Sequence, residues 1–244
     1  MSKQNLAALI IGLSVIVTSL VIAGAYKYKF RGDETITVTG LAEQDFKSDM
    51  ITWTGQYSRK TIDLKTAYSM LKKDEATVRA YLKGKGLTDN DLLFSSVDIT
   101  KDTRKIYDPK GVVTGEVFDG YDLKQTVTVQ SKDVDKIEKI SREVTELIED
   151  GIEFDSGAPS YYYSKLSAIK IDLLAKASAD AKLRAETIAK NSGSKLGKMR
   201  KASMGVFQIT GDSDNEGYTS GGAFNTSSRN KTASITIRID FDVN

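Results

Sequence analysis

The sequence predicts an α+β fold, an antiparallel sheet with helices on one side, preceded by one N-terminal transmembrane helix. Three observations carry it. Residues 6–25 form an apolar run without a charge; residues 51–163 switch between period 2 and period 3.6 in the order β-α-β-β-α-β; and a long Ala-ridged helix is followed by a strictly alternating final strand. That middle order is the split βαβ, ferredoxin-like arrangement.

The apolar run, LAALIIGLSVIVTSLVIAGA, has about the 20 residues needed to cross a bilayer as a helix. It reads as a transmembrane signal anchor over residues 6–25, with Leu6, Ile10, Ile11, Leu13, Val15, Ile16, Val17, Leu20, Val21 and Ile22 facing lipid. Residues 1–5 are a short tail and residues 26–33 a linker. A cleaved signal peptide is the alternative, because Ala23, Gly24 and Ala25 offer an A-x-A site, although the run exceeds the ~7–15 residues of a signal h-region. Lys27, Lys29 and Arg31 outnumber Lys3, so basic residues alone would place the following domain in the cytoplasm.

In residues 34–42, Ile36 and Val38 alternate with Thr35, Thr37 and Thr39, which predicts a first strand. Ile51, Trp53, Gly55 and Tyr57 share one face of a second. From Asp63, the expected N-cap, the period becomes helical with Leu64, Ala67, Tyr68, Leu71, Val78 and Leu82 inward, and Gly84 and Gly86 stop it. Residues 92–100 predict a third strand. Asp108, Pro109, Lys110 and Gly111 make a hairpin turn, and residues 117–129 return as a strand. A second helix is expected over residues 133–149, with Ser131 near its cap and Gly151 at its end. A strand over 152–163 follows, broken at Gly157 and Pro159. Ile169, Leu173, Ala177, Ala181, Ala185 and Ala189 form the ridge of the long helix, whose narrowing to Ala permits close approach to a backbone. A strand near 201–209 and the alternation Ala233, Ile235, Ile237, Ile239, Phe241, Val243 complete a domain over 34–244, read as having one hydrophobic core.

Composition narrows the function. The 244 residues carry 35 Lys and Arg against 33 Asp and Glu, interleaved, so no basic footprint for nucleic acid is present. With no Cys and no His, thiol nucleophiles, imidazole bases and Cys or His metal sites are excluded. No cofactor, metal ion or small-molecule substrate is predicted.

Residues 176–198 read KASADAKLRAETIAKNSGSKLGK. The string resembles the signature helix and turn of the SIMPL-domain family, an A-x-x-D-A-x-x-[KR]-A-E-x-[IL]-A pattern followed by G-x-x-L-G-K. Ala177, Asp180, Ala181, Arg184, Ala185, Glu186, Ile188, Ala189, Gly193, Leu196, Gly197 and Lys198 fit it. Similar points are the opening Thr37, Val38, Thr39 and Gly40, the Lys85, Gly86, Leu87 turn before Asp91, Gly120 with Tyr121, and Gly151 and Ile152 with Phe154. The chain departs from the pattern at residues 44–50, where the family carries a Pro-Asp pair, and in the polar loop after Thr210. The family has no agreed chemistry. The resemblance implies an exported domain of the cell envelope with a tendency to form ring-like homo-oligomers, which sets the domain on the periplasmic or outer side of the inner membrane.

The remaining candidates are weighed on chemistry. Residues 193–198 superficially resemble a phosphate loop, but Met199 stands where Ser or Thr is required and a helix precedes the loop, so they read as a helix-ending turn. Asp212, Asp214, Glu216 and Gly217 start like a calcium loop that has Ala223 in place of its final Glu. They belong to a flexible polar loop, 211–230, that lacks apolar residues to order itself. Glu149 with Asp150 and Glu153 with Asp155 sit at element ends, where acids face water. Lys195, Lys198, Arg200 and Lys201 read as a solvated turn near a helix C-terminus. Tyr161, Tyr162 and Tyr163 alternate faces, so they are candidate oligomer contacts, together with Tyr218 and Phe224 in the polar loop. The expected function is a membrane-anchored, self-assembling structural protein of the envelope, a ring or cage without enzymatic activity. The alternative is a monomeric envelope module binding a lipid or small apolar ligand.

Overall fold

The computed structural model describes residues 3–29, 34–211, 217 and 219–243, with side chains from 11 to 26 in the first segment. In chain order the elements are α1 (Lys3–Lys29), β1 (Thr35–Lys47), β2 (Met50–Thr61), α2 (Leu64–Gly84), β3 (Leu92–Phe94), β4 (Asp98–Tyr107), β5 (Val113–Ser131) and α3 (Val134–Glu143). Then come β6 (Glu153–Ser156), β7 (Ser160–Tyr162), α4 (Leu166–Asn191), β8 (Leu196–Met204), β9 (Gln208–Gly211) and β10 (Asn230–Val243). Mixed helices and antiparallel sheets make this an α+β fold, as the periodicities predict. The chain divides into two compact units. The first takes Met1–Ala42, Leu174–Gly205 and Ile235–Asn244, and the second takes Glu43–Leu173 and Val206–Ser234.

The described large apolar side chains of α1, Ile11, Leu13, Val15, Ile16, Val17, Leu20, Val21 and Ile22, are 53–67% exposed. The side chains of Leu6 and Ile10 lie outside the described residues. Among the described residues no helix is long and apolar enough to cross a membrane.

The second unit is built on a sheet of order β3-β5-β2-β6, with β4 also pairing β5 and β7 also pairing β2. One face of β2 and β5 is apolar (Ile51, Trp53, Tyr57, Leu123, Val127, Val129) and lies under Leu71, Val78 and Leu82 of α2 and Ile137 and Ile140 of α3. The other face carries Thr52, Thr54, Gln56, Thr126 and Thr128, so one side of the sheet needs no cover. Phe154 lies between the Trp53 and Tyr57 rings, 6.2 Å from each, in the space left by Gly55, where a Cβ would come within 2.6 Å of its ring. Asp63 caps α2 through the Thr66 N–H, as expected.

The first unit holds the larger parts of β1 and β10 and all of β8, in the sheet order β1-β10-β8, and most of α4. Val38, Ala177, Ala181, Ala185, Ile237, Ile239 and Phe241 are buried there. They do not belong to the cluster around Trp53, so the single sheet and core expected from the sequence give way to two sheets and two buried sets. Alternation shows that a strand has a buried face but not which strand it pairs with, and β10 pairs with β1 from the far end of the chain.

Several boundaries also differ. Asp133, not Ser131, caps α3, accepting the Lys136 N–H, while the Ser131 hydroxyl accepts the Asp133 N–H. The second helix tightens to a 3-10 turn over Val144–Ile148 before Gly151, at φ 75°, reverses the chain. The predicted third strand is split between β3 and β4, and between them the Ser95 hydroxyl takes the Thr126 N–H.

The polar loop is tied down over residues 219–230. Buried Gln208 spans it, donating to the Thr219 carbonyl at 2.8 Å and accepting the Ala223 N–H at 2.6 Å. Buried Lys231 donates to the Asn225 carbonyl, and Arg229 donates to Asp135 of α3 at 2.5 Å. Two buried side chains adjoining the loop therefore supply the order that its own composition lacks. Asp212, Asp214, Glu216 and Tyr218 lie outside the described residues.

Candidate functional site

The SIMPL-like string folds as a docking device between helix and strand. Ala177, Ala181, Ala185 and Ala189 are all buried, and Ala177 and Ala181 lie so close to β1 that a Cβ on Gly40 would sit 2.6 Å from the Ala181 nitrogen and collide with the Ala177 carbonyl. Here Gly is required by proximity. Asp180 completes the junction, accepting the Leu41 N–H at 2.9 Å and Arg184 Nε at 2.8 Å. Those two donors, the backbone N–H first, hold its carboxyl below the usual carboxylate range. Gly193, at φ 77°, ends α4, and Leu196, Gly197 and Lys198 open β8, so the stretch resembling a phosphate loop is a helix stop running into a strand. Gly197 stands where a Cβ would meet Asp242 of β10 at 2.7 Å.

Beside this junction lies an open groove of about 750 Å³, lined by Thr37 and Thr39 of β1 and by Leu183, Arg184, Thr187 and Ile188 of α4. Leu183 is 63% exposed and Ile188 47%.

In the second unit, β4 and β5 run on past the last residue that β2 pairs with, Tyr121, as a two-stranded arm. Its root is ionic. Lys60 donates to Asp102 and, at 2.7 Å, to Asp119, and Arg104 lies 3.7 Å from Asp119. Gly120, at φ 118°, lets the arm pass the Thr61 carbonyl, 2.8 Å from where a Cβ would stand. Along the arm Ile106, Tyr107, Val112, Val113, Val117 and Phe118 are 39–59% exposed. Sequence reading placed this hairpin but missed the arm, although the signal was present in a pairing too long for β2 to accompany.

Arg59 of β2 grips Asp74 of α2 through two bonds, 2.5 and 2.9 Å, and donates to the Gly151 carbonyl at 2.8 Å. Asp74 is buried, and the Asp74 hydrogen bond raises the Arg59 pKa further. A groove of about 360 Å³ opens over this pair, and another of about 580 Å³ lies between Met50, Leu93 and Lys132.

The sequence-predicted contact residues separate. Tyr161, Tyr162 and Tyr163 are each half-buried on their own chain. Tyr161 packs on the core and donates its N–H to the Thr226 carbonyl, Tyr162 pairs with Met50, and Tyr163 lies 5.0 Å from the Phe46 ring. Phe224 is 58% exposed. The acids Glu149, Asp150, Glu153 and Asp155 stay apart from any metal-holding group, since no set of three or more Asp and Glu converges among the described residues.

A search of curated proteins returned no match. A family model does match: SIMPL, described as a protein of unknown function (DUF541), fits residues 36–242. The match runs from the Gly40 strand through the Asp180 helix to the final strand, and the chain belongs to the SIMPL family.

Proposed function

We propose that this SIMPL-family chain is a single-pass, membrane-anchored structural protein of the cell envelope that self-assembles into a ring- or cage-like homo-oligomer and acts without enzymatic chemistry. The observation that carries the reading is the β4–β5 arm. A two-stranded ribbon standing alone in water is marginally stable, and this one leaves six large apolar side chains 39–59% exposed. Apolar surface gathered in this way marks a contact site. Phe224 adds a second exposed ring, whereas the three tyrosines are engaged at home. The grooves are open and of mixed polarity, which favours assembly over an apolar-ligand module.

The anchor reading draws on residues 6–25 being free of charge and on α1 exposing apolar side chains on every described turn. The 20 charge-free residues match in number what a helix needs to cross a hydrocarbon core of about 30 Å. We place the anchor in the inner membrane and the domain on its periplasmic or outer side, following the family resemblance over the weak basic-residue asymmetry. We also read the second-unit sheet as a ferredoxin-like core, a reading supported by its strand order β3-β5-β2-β6 and its helices on one face.

The test is the particle mass of the full-length chain in mild detergent, by mass photometry with negative-stain images. A mass many times 26.7 kDa with ring or cage views is expected. A particle that stays monomeric at micromolar concentration sinks the reading.

A further inference from the structure

The sheet of the first unit ends in two unfinished edges. On one side, among the described residues, β8 has only β10 beside it, and from Lys198 to Met204 its side chains are exposed. Its register aligns Met204 with Ile237, Ala202 with Ile239 and Met199 with Phe241. Met199, Ala202 and Met204 therefore lie on the sheet face that buries those β10 residues, yet Met199 and Met204 are 59% and 61% exposed. Among the described residues, the apolar face continues one strand further than its cover does.

On the other side, the Val243 N–H bonds to the Glu34 carbonyl, so by alternation the even-numbered residues of β1 turn their backbone groups toward β10. Thr35, Thr37, Thr39 and Leu41 turn theirs outward. Asp180 takes the Leu41 N–H, which sets that flank of α4 over the outer edge. The groove lined by Leu183 and Ile188 runs beside Thr37 and Thr39. An edge strand beside a helix-walled apolar groove is the arrangement that accepts an added strand.

We propose that β8 of one copy pairs with the N-terminal half of β1 of a second copy of this chain, so that the sheet continues from subunit to subunit. The occupant is argued from charge and from apolar complementarity. Residues 195–204 carry four cations and no acid, whereas residues 34–41, the half of β1 with its leading residue that would receive them, carry Glu34 and no cation. Pairing β8 with another β8 would set cations against cations, which opposes a two-fold contact. Pairing it with the start of β1 sets those cations beside an edge that carries Glu34 and no cation, and brings Met199, Ala202 and Met204 beneath the neighbour's Leu183 and Ile188. The contact is head-to-tail, and a head-to-tail contact closes into a ring or runs on as a filament. The inference rests on the self-assembly reading and names one of its interfaces.

The chain has no cysteine, so introduced thiols report without background. Full-length protein in mild detergent carrying Thr39→Cys, Ser203→Cys or both is treated with a short bismaleimide and run on a denaturing gel, with particle mass measured on the same samples. A ladder of multimers from the double variant, with dimers at most from either single variant, is expected. A second sample carrying Lys198→Glu and Lys201→Glu is expected to lose on the order of tenfold in assembled fraction, since the reversed charges would repel the neighbour's Glu34 where the lysines attracted it. Assembled particles with no ladder, and with the charge-reversed variant unaffected, overturn the edge pairing while leaving self-assembly standing. A ladder no stronger than the Ser203→Cys dimer overturns the head-to-tail order. Monomeric particles throughout overturn both readings.

Discussion

At Gly40 and Arg59, single residues each decide whether two elements can lie together. Ala in place of Gly40 brings a methyl against the Ala177 carbonyl and within 2.6 Å of the Ala181 nitrogen, atoms of a helix backbone that cannot swing aside. Overpacking of this kind costs about 1–3 kcal/mol. Gly40→Ala should therefore lower the thermal midpoint of the full-length protein by several degrees, and an unchanged melt would show that β1 and α4 have slack. Arg59 poses the electrostatic version. Removing it in Arg59→Met strands the Asp74 carboxylate in a nearly dry site, and breaking a buried pair costs about 3–5 kcal/mol, whereas replacing both partners by apolar residues is often neutral. Denaturant titration should find Arg59→Met strongly destabilised and the double variant Arg59→Met with Asp74→Leu restored to near the parent. A double variant as weak as the single one would mean that the Arg59 bond to the Gly151 carbonyl, and not the ion pair, holds β2 to the turn.

At the scale of elements, the arm and α4 mark how far the sequence could be read. The arm is tied to β2 at its root, through Lys60 with Asp102 and Asp119, so replacing residues 103–118 by a two-residue turn should leave the circular dichroism spectrum close to that of the parent while lowering the assembled fraction. A shortened protein that assembles as well as the parent would move the contact elsewhere. Periodicity revealed the helices, the caps at Asp63 and Gly193 and the alternation of β10, because those depend on neighbours within a turn or a pleat. Pairing was not legible. Nothing local to β10 announces that β1 lies beside it, and nothing local to residues 219–230 announces that Gln208 and Lys231 will order them. The signature string around Asp180 was readable as a family mark, but its meaning required the strand it meets. Gly40 leaves room, and Leu41 offers the N–H that Asp180 accepts.

For the whole molecule, the charge pattern fixes how stability depends on pH. With no His, no side chain has an ordinary pKa between 5 and 8. Among the described residues, each carboxyl that departs clearly from its ordinary value departs downward, including Asp180 beside the Leu41 N–H, Asp102 beside Lys60, Asp135 beside Arg229 and Asp63 beside Thr66. A carboxyl depressed by folding adds stability that is fully present above its unfolded value, near 3.8 for Asp, and that is lost as the pH falls through the lower folded value. The opposite end is set by Lys60 and Lys85, raised above 10.5 by their carboxylate partners, and by Tyr57, whose phenol burial pushes up. Groups raised by folding add stability that is complete below their unfolded values and is lost as the pH climbs through the folded ones. The two sets bracket a plateau. Thermal midpoints of the full-length protein should be level between about pH 5 and 9 and should fall below about pH 4 and above about pH 10, the edges set by carboxylate and by lysine and tyrosine chemistry. Salt should blunt the acid arm, because Asp102 and Asp135 sit in exposed ion pairs that are screened. A midpoint that steps between pH 5 and 8 would contradict this account, and would point to a side chain held far from its ordinary pKa by surroundings that a single copy of the chain does not supply.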